Sequence, residues 1–347
     1  MITWLFGLLL ALSVSAAQVQ FNFGATPAGG QPTNFLATLA GAGQPPAWQV
    51  VMDAVPPILA PLTDKAPDVT KRGVLAQTGQ DATDEHYPLC VYTGEVFRDF
   101  KFTTRFKLVS GVSEQMAGVV FRFQNTSNFY VVRVSGLGKN IAFYKMVKGQ
   151  IVSPIKMPLE IKSGAWHELT VDAAGIYLEI SLDGKKAFPT ITDSAPPDGQ
   201  LGFWTKSDAV SYFADAGVDY TPRIPVAQSL VNAVMEKQPR IISLRLYTLA
   251  GTNTTRIIAS KDLAEVGQPG TDAELAAIQD GTISYGKENG EVMVTLPLHD
   301  RNGEDIAAVR FRLKSFFGET EGNAVNRARL LLKQMQILCG SAEDLRK

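Results

Sequence analysis

Few residues in this chain of 347 amino acids have the types and spacing that catalysis or metal binding requires. The three histidines, His86, His167 and His299, lie far apart, and neither they nor the two cysteines show metal-ligand spacing such as C-x-x-C. No G-x-S-x-G run is present to expose a nucleophilic serine at a strand-to-helix turn. The sequence therefore predicts no metal site and leaves any catalytic residues unknown, although a Ser-His-Asp set assembled from distant segments stays open.

One acidic loop has ligands of the kind that calcium prefers. The run DATDEHYP groups Asp81, Asp84, Glu85 and His86, and carboxylate oxygens on a flexible loop are calcium ligands. The D-x-D-x-D-G spacing of a calcium-binding loop is missing, however. A solvated acidic loop is therefore the preferred interpretation, and calcium is the one cofactor that stays open.

Polar and aromatic residues alternate along the predicted strands in the middle of the chain. If Phe121 and Phe203 point into a core, their neighbours point outwards, because successive strand residues face opposite sides. An aromatic ring that stacks on a sugar, surrounded by hydrogen-bond donors, suits a glycan. The predicted glycan-binding residues are Arg122, Gln124, Arg133, Trp204 and Lys206. The alternative is a solvated face that a single tryptophan covers.

A second set of polar residues lies nearer the C-terminus. Arg245 and Tyr247 alternate on one face of the predicted strand IISLRLYTL, and arginine binds a carboxylate through two parallel hydrogen bonds. The predicted small-ligand pocket consists of Arg245, Tyr247, Asp262, Tyr285, Asp300 and Arg310. The alternative, which the sequence favours, is a solvated sheet face on which these side chains pair across strands.

Composition and charge limit the class of protein. Hydrophobic residues make up 45% of the chain and charged residues 19%, which is typical of a globular protein rather than a disordered one. The formal net charge is −1, so the chain lacks the basic character of a nucleic-acid-binding protein, and no nucleic-acid partner is predicted. The length suits two domains.

Residues 1–17 have the pattern of a secretory signal peptide. An apolar run from Ile2 to Leu12 leads to small residues that fit cleavage after Ala17. The predicted location is therefore secreted or periplasmic, with an uncleaved membrane anchor as the alternative. No later segment reaches about 18 apolar residues, so no further membrane span is predicted. Cys90 and Cys339 fall in different predicted domains, which favours two separate thiols over a disulfide.

Residues 18–222 have the pattern of an all-β domain. Phe100, Phe102 and Phe106 alternate with polar residues, and this period of two indicates a half-buried strand. Further short strands follow, separated by turn residues such as Asp183-Gly184. Because no helical period lies between them, the strands predict an antiparallel jelly-roll sandwich.

The chain changes character after residue 222. A helix is predicted over residues 225–238, and strands, a short helix bounded by Thr271 and Gly281, and a hairpin on Asn302-Gly303 follow. This order of elements predicts an α+β domain. The predicted second domain comprises residues 223–320, with a C-terminal helix in residues 321–347 packed on it.

The first predicted domain resembles the laminin-G-like or concanavalin-like sandwich. It is more closely similar to the bacterial 3-keto-disaccharide hydrolase domain, which is related to family 16 glycoside hydrolases. The stretches that carry the resemblance are GAGQPPAWQV, GVLAQTG, MAGVVFRFQNTSNFYVVRVSG, FYKMVKGQ, WHELTVDAAGIYLEISLDGKKAF and GQLGFWTKSD. Family 16 glycosidases carry an E-x-D-x-x-E run that supplies the two catalytic carboxylates, and this run is absent here. The resemblance therefore implies a fold that hosts both enzymes and lectins.

The second predicted domain resembles an extracellular Cache-type sensor domain, which is PAS-like in fold. The stretches that carry the resemblance are IISLRLYTLAGTNTTRIIASKDLAEVGQPGTDAELAAIQDG and VTLPLHDRNGEDIAAVRFRLKS. They follow the order strand, polar turn, ASxDxxxxG loop, short helix and xxPxxDxxG hairpin, with AGTN where DxxG is usual. The resemblance implies that a small organic ligand binds between the sheet and the loop that contains Asp262.

Three hypotheses for the function follow. The leading one is an exported, non-catalytic binding protein, whose sandwich contacts carbohydrate and whose Cache-like domain senses a small organic ligand or serves as an interaction module. The first alternative is a hydrolase or lyase that acts on glycosides through the sandwich, and the second is a scaffold of the cell envelope. A metal in the sandwich would favour the enzyme, a polar pocket in the second domain the sensor, and a filled second domain the scaffold.

Overall fold

The computed structural model describes residues 16–58, 69–194, 196–222, 224–238, 240–339, 341 and 345. The chain divides into two compact units, residues 1–223 and 224–347. The predicted signal segment lies outside the described residues as far as residue 15. Among the residues that are described, no helix is both long enough and apolar enough to span a bilayer.

The first unit consists of short strands and turns. Its strands are β1 (Ala17–Phe21), β2 (Phe35–Gly41), β3 (Trp48–Val55), β4 (Thr70–Gln77), β5 (His86–Tyr92), β6 (Phe100–Ser110), β7 (Met116–Asn125), β8 (Asn128–Ser135), β9 (Asn140–Val147), β10 (Gln150–Pro158), β11 (Trp166–Ala174), β12 (Tyr177–Leu182), β13 (Lys185–Lys186), β14 (Ile191–Thr192), β15 (Gln200–Trp204) and β16 (Val210–Tyr220). Within the described residues, a nine-stranded sheet has the order β13-β12-β11-β6-β16-β4-β3, with β1 added to β16 and β14 to β12. A seven-stranded sheet has the order β10-β9-β8-β7-β15-β5-β2.

The two sheets pack face to face around an aromatic core. On β6, Phe100, Phe102 and Phe106 are buried, while Lys101, Thr103 and Arg105 on the alternate positions are at least partly exposed. Phe100 meets Phe121 of the seven-stranded sheet edge to face with ring centroids 5.9 Å apart, and Phe102 meets Phe203 in the same way at 5.9 Å. Each buried phenylalanine contributes about 1.5–3 kcal/mol. The predicted β-sandwich is therefore confirmed.

The seven-stranded sheet is also apolar on the face turned away from this core, which we call the outer face. The outer face of an antiparallel sheet is commonly solvated, so a second cluster of buried apolar side chains there is unusual. Its members are Ala40, Tyr87, Leu89, Val91, Met116, Val120, Phe123, Phe129, Val131, Tyr144, Met146, Trp204 and Ala209.

The second unit is α+β. Its elements are α1 (Val226–Lys237), β17 (Ile241–Leu249), β18 (Thr255–Ser260), α2 (Asp272–Asp280), β19 (Ser284–Glu288), β20 (Glu291–His299), β21 (Asp305–Lys314) and α3 (Glu321–Leu338). The strands form an antiparallel sheet of order β18-β17-β21-β20-β19. Side chains of α1 and α3 share a core with one face of this sheet, and Ala277 and Ile278 of α2 pack on the other.

Helix α2 shows why local sequence predicted the helix ends well. Thr271 and Glu274 form a capping box, in which the Glu274 carboxylate accepts hydrogen bonds from the backbone N–H and the hydroxyl of Thr271. Gly281 ends the helix in the left-handed conformation, at φ 64°. Both residues were the predicted bounds of this helix.

The two cysteines are separate, buried thiols, one in each unit. Cys90 lies in the core between the two sheets, and Cys339 follows α3. Burial raises the pKa of the Cys90 thiol far above its ordinary value. The prediction of two separate thiols is therefore confirmed.

Candidate functional site

Three of the five predicted glycan-binding residues lie close together in the seven-stranded sheet. Trp204 on β15 pairs with Gly118 on β7, and Gly118 pairs with Arg133 on β8, so Trp204 and Arg133 lie on either side of Gly118 on the outer face. Gly118 has no space for a side chain, because a Cβ atom there would lie 2.4 Å from the carbonyl oxygen of Val132. Lys206 follows Trp204 by two residues.

Aromatic rings and charges surround Trp204. Its ring stacks on Tyr87 with centroids 6.0 Å apart and meets Tyr144 edge to face at 6.4 Å. The Lys206 ammonium lies 2.5 Å from an Asp84 carboxylate oxygen and 3.0 Å from one of Glu114. Residue types that suit a glycan site are therefore present on this face.

The outer face is nevertheless closed to a ligand around Trp204. Trp204 is 1% exposed, Tyr144 is 6% exposed and Tyr87 is 9% exposed. A sugar stacks on an aromatic ring only where the ring face is accessible. The indole Nε1 is buried and has no hydrogen-bond partner in the described part of the chain. Trp204 therefore acts as a packing residue in this structure.

The expected outward orientation of Arg122 is wrong. Arg122 has a positive φ of 50°, and the pairing of β7 with its neighbours shifts register at this point. Gly199 lies so close to the Arg122 backbone that a Cβ atom on Gly199 would lie 2.4 Å from the carbonyl carbon of Arg122. The Arg122 side chain is 1% exposed, lies 3.4 Å from the Asp193 carboxylate and stacks over the Tyr130 ring. Burial lowers the pKa of its guanidinium.

The same irregularity displaces the next two residues. Phe123, two residues after the core residue Phe121, would share its face in a regular strand but belongs to the outer-face cluster. Gln124 is exposed near the end of β7, beyond the register shift, and is not brought into the Trp204 group. A period-two pattern assigns faces correctly only while the strand is regular, since one extra residue reverses every later side chain.

The sandwich has a second candidate site that sequence patterns did not reveal. A cavity of about 490 Å³ lies among residues 19–23, 25–27, 30–35 and Tyr92. It is bounded by β1, by the loop that leads to β2, and by the end of β5, so it lies at the edges of both sheets. We call it the edge cavity.

Aromatic rings form one wall of the edge cavity. The Phe21 ring lies 5.1 Å from Phe35 and 4.9 Å from Tyr92, measured between centroids, and Phe35 lies 5.4 Å from Tyr92. Phe35 and Tyr92 are only partly buried. The cavity therefore offers aromatic surface that a ligand can reach, in contrast to the ring of Trp204.

Amide side chains form the polar part of the edge cavity. The exposed side chains of Asn22 and Asn34 make no hydrogen bond to any described residue. The Asn34 backbone is fixed, because its carbonyl oxygen accepts from the Thr93 N–H at 2.8 Å and from the Thr93 hydroxyl at 3.1 Å. None of the described residues that line the cavity is charged. The run GATPAGGQPTN carries no local site pattern, because the contact of this segment with Tyr92 is distant in sequence.

In the second unit, the predicted small-ligand pocket is filled by ion pairs. The Arg245 guanidinium binds Glu265, with Nε 2.7 Å from a carboxylate oxygen, and Glu265 also accepts from the Ser260 hydroxyl at 2.6 Å. Arg310 pairs with Glu274, which is fully buried, and lies 5.9 Å from the centre of the buried Tyr247 ring. These cations are therefore already satisfied within the unit.

The remaining predicted pocket residues have local roles. Asp262 accepts from the Ala264 N–H at 3.1 Å and caps a short 3-10 turn. Asp300 accepts from the N–H groups of Asn302 and Glu304 in the hairpin turn. Tyr285 packs against the core that α1 and α3 share, on the opposite side of the sheet from Tyr247. The structure does not bring the six residues into one pocket.

The acidic loop is held by the protein itself. Asp81 accepts hydrogen bonds from the Thr83 N–H at 2.9 Å and from the Gln44 N–H at 2.6 Å. Hydrogen bonds from Thr83 and Gln44 lower the pKa of Asp81 to about 2. His86 is buried, with Nε2 2.8 Å from the Gln44 carbonyl oxygen. Among the described residues, no group of three His, Cys, Asp or Glu side chains is placed to hold a metal ion.

No family model and no curated protein matches this chain. Among solved structures, the carbohydrate-binding module CBM66 from Bacillus subtilis is 16% identical over 50% of this chain and 94% of its own, with a TM-score of 0.37. The galectin LEC-6 from Caenorhabditis elegans is 9% identical over 41% of this chain and 88% of its own, with a TM-score of 0.29. A sialidase is 11% identical over 64% of this chain and 21% of its own, with a TM-score of 0.42. At these TM-scores the similarities do not bear on the choice between the two candidate sites of the sandwich.

Proposed function

We propose that the sandwich is a non-catalytic module that binds a neutral glycan in the edge cavity. The observation that carries this proposal is the composition of the cavity wall: accessible aromatic rings beside amides without hydrogen-bond partners, and no charged side chain among the described lining residues. Sugars present apolar ring faces and hydroxyl groups together, so they match a wall of this kind.

The amides suit hydroxyl groups in particular. Each carboxamide of Asn22 and Asn34 provides two donors and an acceptor, and a sugar hydroxyl both donates and accepts. A site for an acidic ligand would instead place arginine or lysine on the wall. The described lining of the edge cavity contains neither arginine nor lysine, which supports a neutral ligand.

The same wall argues against hydrolysis at this site. Glycoside hydrolysis uses a pair of carboxyl groups, one as acid and one as base or nucleophile. No acidic side chain lines the edge cavity in the part of the chain that the structure describes. The resemblance to 3-keto-disaccharide hydrolase domains therefore supports the fold of this proposal and not its chemistry.

Affinity electrophoresis tests the proposal with the full chain. Gels that contain galactomannan, xyloglucan or starch would retard the protein, whereas gels with the acidic polysaccharide pectate would not. The variant Asn34→Gly removes one amide without backbone strain, because Asn34 has a φ of 62° and glycine adopts positive φ readily. We expect binding to weaken about threefold to tenfold, the value of one neutral hydrogen bond, and further in the double variant with Asn22→Ala.

Asn289→Gly is the matched control. Asn289 also has a positive φ, 51°, and lies in an exposed turn of the second unit. Replacing Asn289 by glycine increases the backbone entropy of the unfolded chain in the same way and removes the same kind of amide side chain. Because Asn289 lies outside the edge cavity, glycan binding should be unchanged. Retained affinity in the Asn34 and Asn22 variants, combined with a loss in Arg133→Ala, would place the site on the outer face instead.

For the second unit we propose a PAS-like module of the Cache type that is exported together with the sandwich. The antiparallel sheet with helices on both faces supports this fold, and the apolar segment from Ile2 to Leu12 supports export. A ligand on the Arg245 face would have to displace two ion pairs. An interaction role for this face therefore fits better than ligand sensing, and sequencing of the mature N-terminus tests export.

A further inference from the structure

The second unit also contains a cavity that is lined by other residues than the ion pairs of Arg245 and Arg310. It has a volume of about 280 Å³ and lies among the loop after α2, the end of β20 and the helix α3. Leu296, Pro297 and Leu332 are buried and form its apolar floor. Arg329, Lys333 and His299 also line it, and we call it the basic cavity.

The two helix cations at this cavity are unpaired. Arg329 and Lys333 are four positions apart on α3, so they project from neighbouring turns of the same helix face. Both are exposed, and neither forms a hydrogen bond or an ion pair with any described residue. Arg327 on the same helix, in contrast, pairs with the buried Glu319.

No lining residue offsets this charge. Among the described residues that line the basic cavity, none carries a carboxylate. The nearest carboxylate to the wall that an ion pair identifies is that of Asp305, which lies behind His299 and Gly281 and contacts Nδ1 of His299 rather than Arg329 or Lys333. Gln336 adds an amide to the polar side of the cavity.

We propose that the basic cavity binds a small organic carboxylate with an apolar body. The guanidinium of Arg329 matches a carboxylate with two parallel hydrogen bonds, and the ammonium of Lys333 adds a second cation. The buried floor contributes only if the ligand also has apolar surface, which inorganic phosphate lacks. The volume lies near the lower end for ligand pockets, so the ligand is small. This site is independent of glycan binding by the sandwich.

Ligand-observed NMR on the full chain tests the site with three probes. Benzoate has the required charge and apolar body, benzamide has the same shape without the charge, and phosphate has charge without an apolar body. We expect benzoate to bind, and benzamide and phosphate to bind at least tenfold more weakly. Equal binding of benzoate and benzamide, or of benzoate and phosphate, would overturn the proposal.

Substitutions locate the binding. Arg329→Gln and Lys333→Gln should each weaken benzoate binding about tenfold, the value of one charge-assisted contact. The double variant should abolish it. Lys314→Gln removes an exposed lysine of the same unit that also has no ion pair and does not line the cavity, so benzoate binding should be unchanged. An equal loss in Lys314→Gln would show that general positive charge, and not this cavity, attracts the anion. Because all three positions are exposed, melting temperatures should match that of the parent chain.

Discussion

The edge cavity of the sandwich and the sheet face around Arg245 both place polar side chains beside aromatic rings, yet they use them differently. Around Arg245 and Arg310, each guanidinium is paired with a carboxylate of the same unit. At the edge cavity, the amides of Asn22 and Asn34 have no partner among the described residues. The comparison teaches that unused hydrogen-bonding capacity marks a binding surface better than residue type does.

The outer face around Trp204 belongs with the filled regions in this comparison, and the largest predicted effect tests that assignment. Trp204→Ala removes a side chain that is 1% exposed, so the free energy of unfolding of the sandwich should fall by about 3–5 kcal/mol. Urea unfolding followed by far-UV circular dichroism measures the change.

Leu36→Ala is the control for Trp204. Leu36 lies on β2 of the same sheet and is 51% exposed, so its truncation should cost below about 1 kcal/mol. Equal stability of the Trp204→Ala variant and the parent chain would mean that the indole is loosely packed. The outer face would then compete with the edge cavity as the glycan site.

A second test concerns the filled face in the second unit. Glu274 is fully buried and pairs with Arg310. Glu274→Ala leaves a half-buried guanidinium uncompensated and removes the capping box of α2, so the second unit should lose about 3 kcal/mol of unfolding free energy. Chemical unfolding that resolves the two units measures this loss.

The exposed pair of Glu179 and Lys186 provides the comparison for Glu274. These side chains are 54% and 46% exposed, and Glu179→Ala should leave the stability nearly unchanged because water screens exposed ion pairs. A similarly small cost for Glu274→Ala would show that the Arg310 face tolerates an empty position. That outcome would reopen it as a ligand site.

The smallest predicted effect is a difference in pH dependence. The hydrogen bond from Arg245 holds the pKa of Glu265 below the ordinary 4.5. A carboxyl with a lowered native pKa stabilises the fold above its unfolded pKa and loses this contribution as the pH falls through the native value. The second unit should therefore lose stability below about pH 4.5, and Arg245→Gln should flatten this acid limb.

Glycan binding should not follow the same pH profile. The wall of the edge cavity, as far as the structure describes it, has no acidic or histidine side chain, so affinity should stay constant between pH 5 and pH 8. Electrophoresis at both limits checks this expectation. A titration of binding in that range would mean that a charged group takes part, which would break the contrast between the two regions.

Local patterns predicted much of the fold because their causes are local. The turn at Asp183-Gly184 has positive φ at both residues, as a tight hairpin requires. Helix α2 ends at the predicted cap and stop residues because the capping box and the left-handed glycine act within one turn. The alternation of Phe100, Phe102 and Phe106 placed them correctly in the core.

The candidate sites depended on contacts that local patterns do not contain. Arg122 turns inwards at the point where Gly199, which precedes β15 and is distant in sequence, approaches its backbone. Arg245 is neutralised by Glu265, twenty residues away along the chain. The amides of the edge cavity came close to Tyr92 only through the pairing of β2 with β5. Face assignments from a period of two hold only until the first such irregularity.

The two buried thiols have a practical consequence. Cys90 and Cys339 are the only cysteines of the chain, and neither is accessible to a reagent. A cysteine introduced by Thr33→Cys, at an exposed position on the wall of the edge cavity, would react selectively with a maleimide dye. A polarity-sensitive fluorophore at that position would then report occupancy of the cavity as a change in emission, without any labelled sugar.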